Sequence, residues 1–240
     1  MELHHTSHSA IEEYNRCAYR FYLRRVKKVP TENLLAGPAG SAFHSMTEDF
    51  DNGNDPMPYE SYLQANLEDD TAYVAIRQED YEWWALRGDE LFDKYVAWRE
   101  LTNWEVVGVE EEFSVQPEGL SLPFVGYIDR RFRMSTGHIV VVDIKTGLRV
   151  PKDRTQLNEY VAASRINGHR ADATAFYDAR WGSSTGLAWP VDWDEMKLVS
   201  HVAPVEKAIL AEEFPATPSA QKCQYCPVRQ YCEYRKGTDK

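Results

Sequence analysis

The chain has 240 residues, is 43% hydrophobic and carries a formal net charge of −11 at pH 7. That length supports one sizeable core, no run of about 18 apolar residues is present to span a bilayer, and Met1-Glu2-Leu3-His4-His5 lacks the charged-then-apolar pattern of a secretion signal. A cytoplasmic protein is expected, read as a single domain over 1–240.

The acidic balance argues against a nucleic-acid partner only until it is mapped. Residues 48–112 hold 19 acids and 4 bases, whereas six bases and no acid lie between Tyr14 and Thr31. Phosphate binding follows the local potential, so an acidic segment elsewhere does not exclude DNA.

In chain order, residues 9–26 have helical spacing, with Ser9 as N-cap and Glu12 three residues on, as in a capping box. Residues 34–40, with two glycines and a proline, read as a loop, followed by a helix from about Ser41 that carries His44. A second loop spans 51–58, and a mostly helical, acidic and aromatic region follows over 60–101. Three β-branched or alternating runs come next, at 106–115, 124–133 and 139–145, separated by Pro-Glu-Gly and Ser-Thr-Gly turns. They predict consecutive antiparallel strands. Helical spacing returns over 152–166, short strands are expected at 173–177 and 198–202, and a helix at 204–213 precedes a cysteine-rich tail. Helix, strand meander, helix and strand together predict an α/β fold, a mixed sheet flanked by helices.

The most informative stretch is Val140-Val141-Val142-Asp143-Ile144-Lys145-Thr146-Gly147. A carboxylate and an ammonium that end an apolar strand are costly to hold there unless paired or metal-bound. Alternation puts Asp143 and Lys145 on one side and Ile144 on the other. The preceding strand ends a similar run at Gly126-Tyr127-Ile128-Asp129, so adjacent antiparallel strands would bring Asp129 and Asp143 to one rim. Two carboxylates there suit a divalent cation, Mg²⁺ or Mn²⁺, with oxygen ligands and retained waters. A surface Asp–Lys ion pair is the plainer alternative.

These pieces occur together with Gly40-Ser41-Ala42-Phe43-His44 and Gln156-Leu157-Asn158-Glu159-Tyr160, and in this order the sequence resembles the RecB-like nucleases of the PD-(D/E)xK superfamily. The resemblance implies a restriction-endonuclease-like core in which His44, Asp129, Asp143 and the Ile144 carbonyl ligate the metal. Lys145 is then the catalytic lysine, and Gln156 and Tyr160 support the site and the DNA. Gln156 and Tyr160, four apart, share a helical face. Basic residues near 16–28 and 145–154 would line the DNA, with Tyr14, Tyr19 and Tyr160 as stacking surfaces. Glu110, Glu111 and Glu112 read as mostly solvated, with one of them a candidate for the metal's outer shell. The acidic stretch at about 55–105 matches no motif and reads as a helical insertion.

Cys223, Cys226 and Cys232 form C-x2-C-x5-C, and the remaining cysteine is Cys17. In a cytosolic chain this spacing favours metal ligation over disulfides, and leaves zinc and an iron–sulfur cluster both open. The sequence is similar in this respect to the CRISPR-associated and AddB-like RecB nucleases and their phage relatives. That likeness implies a four-iron, four-sulfur (4Fe-4S) cluster stapling the N- and C-terminal regions. The resulting expectation is a metal-dependent DNA exonuclease acting on single strands or ends, with protein partners in DNA processing or CRISPR adaptation. The other readings are a non-catalytic DNA-end-binding module and a structural or redox iron–sulfur protein.

Overall fold

The computed structural model describes residues 3–69, 71–75, 77–224 and 226–236. Its elements are helices α1 (His8–Arg16) and α2 (Ala18–Phe21), a π-helical turn (Tyr22–Val26), and helices α3 (Ala36–Asp51), α4 (Tyr59–Ala65) and α5 (Tyr81–Thr102). Strands β1 (Glu105–Val115), β2 (Phe124–Arg133) and β3 (Ile139–Lys145) follow, then helix α6 (Thr155–Ile166) and strands β4 (Ala173–Asp178) and β5 (Ser183–Ser184). Helices α7 (Glu195–Leu210) and α8 (Ala220–Gln224) and a 3₁₀ turn (Arg229–Tyr231) complete the chain. Two compact units emerge, one of residues 33–113 and 127–193, the other of the N- and C-terminal segments with 114–126.

The first unit contains the sheet, in the order β1-β2-β3-β4-β5. β2 runs antiparallel to β3, β3 parallel to β4, and β4 antiparallel to β5. The parallel step needs a crossover connection, which α6 supplies. Strand β3 is buried from Ile139 to Ile144, as expected for a central strand covered on both faces. Val140, Val142 and Ile144 pack with Phe43, Tyr95 and Trp98 in one core cluster. Asp143 and Lys145 project to the opposite side, because successive residues alternate. Trp98 packs among Tyr95, Tyr177 and Phe132 in tilted and edge-to-face arrangements, with ring centroids 4.7–5.8 Å apart. Gly88 on α5 admits the Tyr59 ring, since a Cβ there would lie 1.9 Å from it.

The second unit joins α1, α2 and α7. Buried Glu206 accepts hydrogen bonds from the backbone N–H groups of Ser121 (2.6 Å) and Leu122 (3.2 Å). Phe214 stacks on Phe21 and Tyr22, with centroids 6.1 and 5.1 Å apart.

Several expectations change. Helix α1 starts earlier, because Ser7 offers the same capping chemistry as Ser9 and accepts from the Ala10 N–H at 3.3 Å. The expected single helix breaks at Cys17, which is extended (φ −168°, ψ 110°). Helix α3 begins at Ala36, not near Ser41. Pro38 does not prevent this, because first-turn N–H groups have no intrahelical partner to lose. The region 60–101 is helical only over α4 and α5 among the described residues, with Asp70 and Ile76 outside them. The strand expected at 198–202 is helical and belongs to α7. Buried Leu198, Val202, Val205 and Ile209 follow the 3.6-residue period, and the Asp194 side chain caps the helix from the Lys197 N–H at 2.9 Å.

Candidate metal centre and lysine site

Helix α3 and strands β1 and β2 each contribute one side chain to a compact cluster. His44, Glu110 and Asp129 offer ligand atoms that all lie within 4.8 Å of one another, and among the described residues no other group of three or more does so. His44 Nδ1 lies 3.3 Å from Glu110 Oε1 and 3.8 Å from Asp129 Oδ2. The close approach of α3 to the end of β3 explains Gly40, where a Cβ would stand 3.0 Å from Thr146 Oγ1.

Asp143 follows Val142, the residue registered opposite Arg130, so Asp129 and Asp143 face each other across the β2–β3 ladder. Asp143 is 3% exposed, and its Oδ2 lies 2.7 Å from Lys145 Nζ. Lys145 Nζ also donates to Gln156 Oε1 at 3.0 Å, and Gln156 Nε2 donates to Tyr160 Oη at 2.9 Å. One continuous polar chain therefore runs from β3 to α6. The Ile144 N–H donates to Asp129 Oδ2 at 2.6 Å, which fixes the carboxylate of one strand on the backbone of the next.

The electrostatics are those of a site crowded with negative charge. Burial pushes the Asp129 carboxyl up, and the neighbouring Asp143 charge pushes it further, to about 7. For His44, burial opposes the charged form, but Asp129, Glu110 and Asp143 outweigh it and raise the imidazole to about 8. Glu110 moves the other way: burial would raise it, yet His44 and Arg130 hold it below the ordinary glutamate value. Burial raises the Tyr160 phenol, which therefore stays protonated and can donate.

The structure brings together His44 and Asp129, and separately Asp143, Lys145, Gln156 and Tyr160. Asp143 is not one of the three residues in the compact cluster. Glu110, one of three glutamates expected to be mostly solvated with one a candidate for the metal's outer shell, stands in the cluster itself. It pairs with His44 and accepts from Arg130 Nη1 at 2.9 Å, while Glu111 pairs with Arg131. Glu110 has a left-handed backbone (φ 45°), which interrupts the strand alternation there, so the two-residue period does not single it out among the three glutamates. Tyr160 is 8% exposed and has no open face for a base to stack on. The basic N-terminal stretch is also less available than its charge suggested. Buried Glu13 takes Arg20, Arg24 and Arg25 at 2.8–3.1 Å. Arg154 is spent on backbone carbonyls at Thr174 (3.0 Å) and Gly186 (2.7 Å).

In the other unit, Cys17, Cys223, Cys226 and Cys232 are free thiols that line one small pocket together with Thr217 and Val228. Burial raises the Cys232 thiol, and the three neighbouring thiols add to that effect. The Cys17 thiol is lowered: burial opposes this, and hydrogen bonds from Thr217 and Arg20 outweigh it.

Residues 5–233 match the family model for the PD-(D/E)XK nuclease superfamily. The chain is 25% identical to the Gene 69 protein of Mycobacterium phage D29, covering 93% of this chain and 94% of that one. Its identity to the Gene 69 protein of Mycobacterium phage L5 is 23%, with the same coverages. A crystal structure from Eubacterium rectale, provisionally assigned as an exonuclease, superposes with a TM-score of 0.56 at 11% identity, covering 98% of this chain and 91% of that one. At that identity the likeness is one of fold.

Proposed function

This chain belongs to the PD-(D/E)XK nuclease superfamily, and on that premise we propose that it is an exonuclease hydrolysing single-stranded DNA or DNA ends with Mg²⁺ or Mn²⁺. The observation that carries the reading is the lysine chain Asp143–Lys145–Gln156–Tyr160, ending beside the His44, Glu110 and Asp129 cluster. A binding-only module would have no use for an ammonium held by two partners at a carboxylate rim.

The donor set fits a hard divalent cation. It is rich in carboxylate oxygen, with one imidazole that suits Mn²⁺. The raised Asp129 carboxyl points the same way, since buried acids that repel one another are relieved by a cation between them. His44, Glu110 and Asp129 would hold the ion, with Asp143 and the Ile144 carbonyl as the further ligands that the family resemblance implies. A bound divalent ion supplies Lewis-acid polarisation of a phosphoryl oxygen and a water of lowered pKa.

The protein's own groups do the positioning. Lys145, held between Asp143 and Gln156, places an ammonium where it can stabilise charge on the attacked phosphate or help take the water's proton. Tyr160 keeps the Gln156 amide oriented so that its oxygen faces Lys145. Tyr127, 54% exposed and two residues before Asp129 on the same face of β2, offers a base a stacking surface.

The same reading takes residues 1–240 as one nuclease domain with 55–105 as an insertion. It groups the chain with the CRISPR-associated and AddB-like iron–sulfur nucleases, with DNA-processing or CRISPR-adaptation proteins as partners. Four free thiols around one pocket fit a cysteine-ligated group, and a 4Fe-4S cluster there would tie Cys17 to the tail. Digestion of end-labelled single- and double-stranded DNA with Mn²⁺, wild type beside Lys145→Ala, tests the activity. Cleavage by the variant at the wild-type rate would remove the proposal.

A further inference from the structure

We propose that Arg130 is the positioning residue of the metal centre, one buried guanidinium that ties together the three elements supplying its ligands and thereby sets the divalent-ion affinity. The proposal rests on the nuclease reading only for the presence of a cation at His44, Glu110 and Asp129.

Arg130 is 0% exposed and lies on β2 directly after Asp129, so its side chain leaves the opposite face of the strand. From behind the site it reaches every contributing element. Nη1 donates to Glu110 Oε1 on β1 at 2.9 Å and to the Asp129 carbonyl on β2 at 2.6 Å. Nη2 donates to Thr47 Oγ1 on α3 at 2.8 Å, with the His44 carbonyl at 3.5 Å. Nε donates to Asp51 Oδ2 at the end of α3 at 2.7 Å. The planar fork of arginine can address these directions at once, and the single ammonium of lysine cannot.

Two consequences follow for the ligands. Glu110 Oε1 is shared between Arg130 and His44 Nδ1, so the guanidinium fixes the carboxylate at the distance where it meets the imidazole. The positive charge also offsets part of the repulsion among Glu110, Asp129 and Asp143.

Asp51 extends the chain outward. Besides Arg130, its carboxylate takes Arg99 Nε at 2.9 Å and the Tyr95 hydroxyl, both from α5. Helix α5 lies in the acidic segment that carries no motif. Its inner face therefore has a task, to hold the carboxylate that holds Arg130.

Partners of metal ligands typically change affinity by about 10- to 100-fold when altered. The test is Mn²⁺ binding, followed by electron paramagnetic resonance of the free ion, to the metal-free full-length protein. Wild type is compared with Arg130→Lys and Thr47→Val, with melting temperature read in parallel. Arg130→Lys is expected to weaken Mn²⁺ at least tenfold. Thr47→Val removes the hydroxyl that accepts from Arg130 and donates to the His44 carbonyl at 3.0 Å, and should weaken it by less than Arg130→Lys does. In cleavage assays the Mn²⁺ requirement should rise in step, with the KM for DNA unchanged, since a fully buried residue touches no substrate. A purely structural role would lower the melting temperature and leave Mn²⁺ affinity at the wild-type value, which overturns the proposal. Should Arg130→Lys not fold, Thr47→Val decides by the same criterion. Mn²⁺ affinity that responds to these variants in a protein that cuts no DNA would sink the nuclease reading and leave this one standing.

Discussion

Asp129→Asn should make the metal-free protein more stable at alkaline pH while removing its response to Mn²⁺. In the folded protein the Asp129 carboxyl is pushed from 3.8 to about 7, so the native state binds that proton more tightly than the unfolded chain does. The stability this confers is full below about pH 4 and is lost as pH rises through 7. At about 1.36 kcal/mol per unit, the loss is about 4 kcal/mol. His44 runs in the same direction: raised from 6.5 to about 8, it contributes about 2 kcal/mol below pH 6.5 that is lost as pH passes 8. The two groups share one mutual interaction, so the sum overstates the total, and about 4 kcal/mol is the working figure. For a chain of this size that is a fall of about 10 °C in Tm between pH 4 and 9. Asparagine keeps an oxygen to accept from the Ile144 N–H and removes the titrating charge. Scanning calorimetry in a chelator at pH 5.5, 7 and 8.5, repeated with excess Mn²⁺, reads both effects. Wild type should recover about 2.7 kcal/mol when Mn²⁺ is 100 times its dissociation constant, and Asp129→Asn almost none. Equal pH slopes and equal Mn²⁺ gains in the two proteins would refute the crowded-carboxylate account of this site.

Four further outcomes are expected. Lys145→Ala and Asp143→Ala should each reduce cleavage at least about 100-fold with the fold retained, as scored by single-turnover kinetics beside circular dichroism. Gln156→Ala should cost less, about tenfold in kcat, because Lys145 keeps Asp143 at 2.7 Å; a loss as large as that of Lys145→Ala would mean that the amide does more than hold the lysine. Tyr127→Ala should raise the KM for single-stranded DNA about tenfold with kcat unchanged, and an unaltered KM would remove the stacking role. Cys17→Ser should abolish stoichiometric bound iron and the visible charge-transfer absorbance of the anaerobically purified protein, whereas stoichiometric zinc in the wild type would replace the cluster by a zinc site.

The strands were legible because their chemistry is local. Runs such as 139–145 alternate or stay apolar over a full strand length and end in turn residues, and β1, β2 and β3 emerge at almost the expected bounds. The segment 198–202 misled because Leu-Val-Ser-His-Val is a β-favouring run when read alone. Its helical period shows only when Val205 and Ile209 are counted with it, across a proline that seemed to mark a start. Which of the three glutamates enters the site stayed hidden for a related reason. The partners of Glu110, His44 and Arg130, are 66 and 20 residues away, and nothing in its own neighbourhood separates it from Glu111 and Glu112.

Sequence alone determined which groups are available for chemistry: an imidazole four residues past a glycine, a carboxylate on each of two strands, a lysine two residues past the second, and four thiols spaced for one centre. Those properties are written in side-chain type and short-range period, and a chain carries them whether or not it is folded. Tertiary structure decided which of these groups meet. It brought Glu110 into contact with His44, set Asp143 on Lys145, closed the face of Tyr160, and turned arginines that look like DNA contacts into partners of Glu13. The physical reason is that charges buried together must find counter-charges or donors wherever the fold provides them, and separation along the chain sets no limit on where those lie.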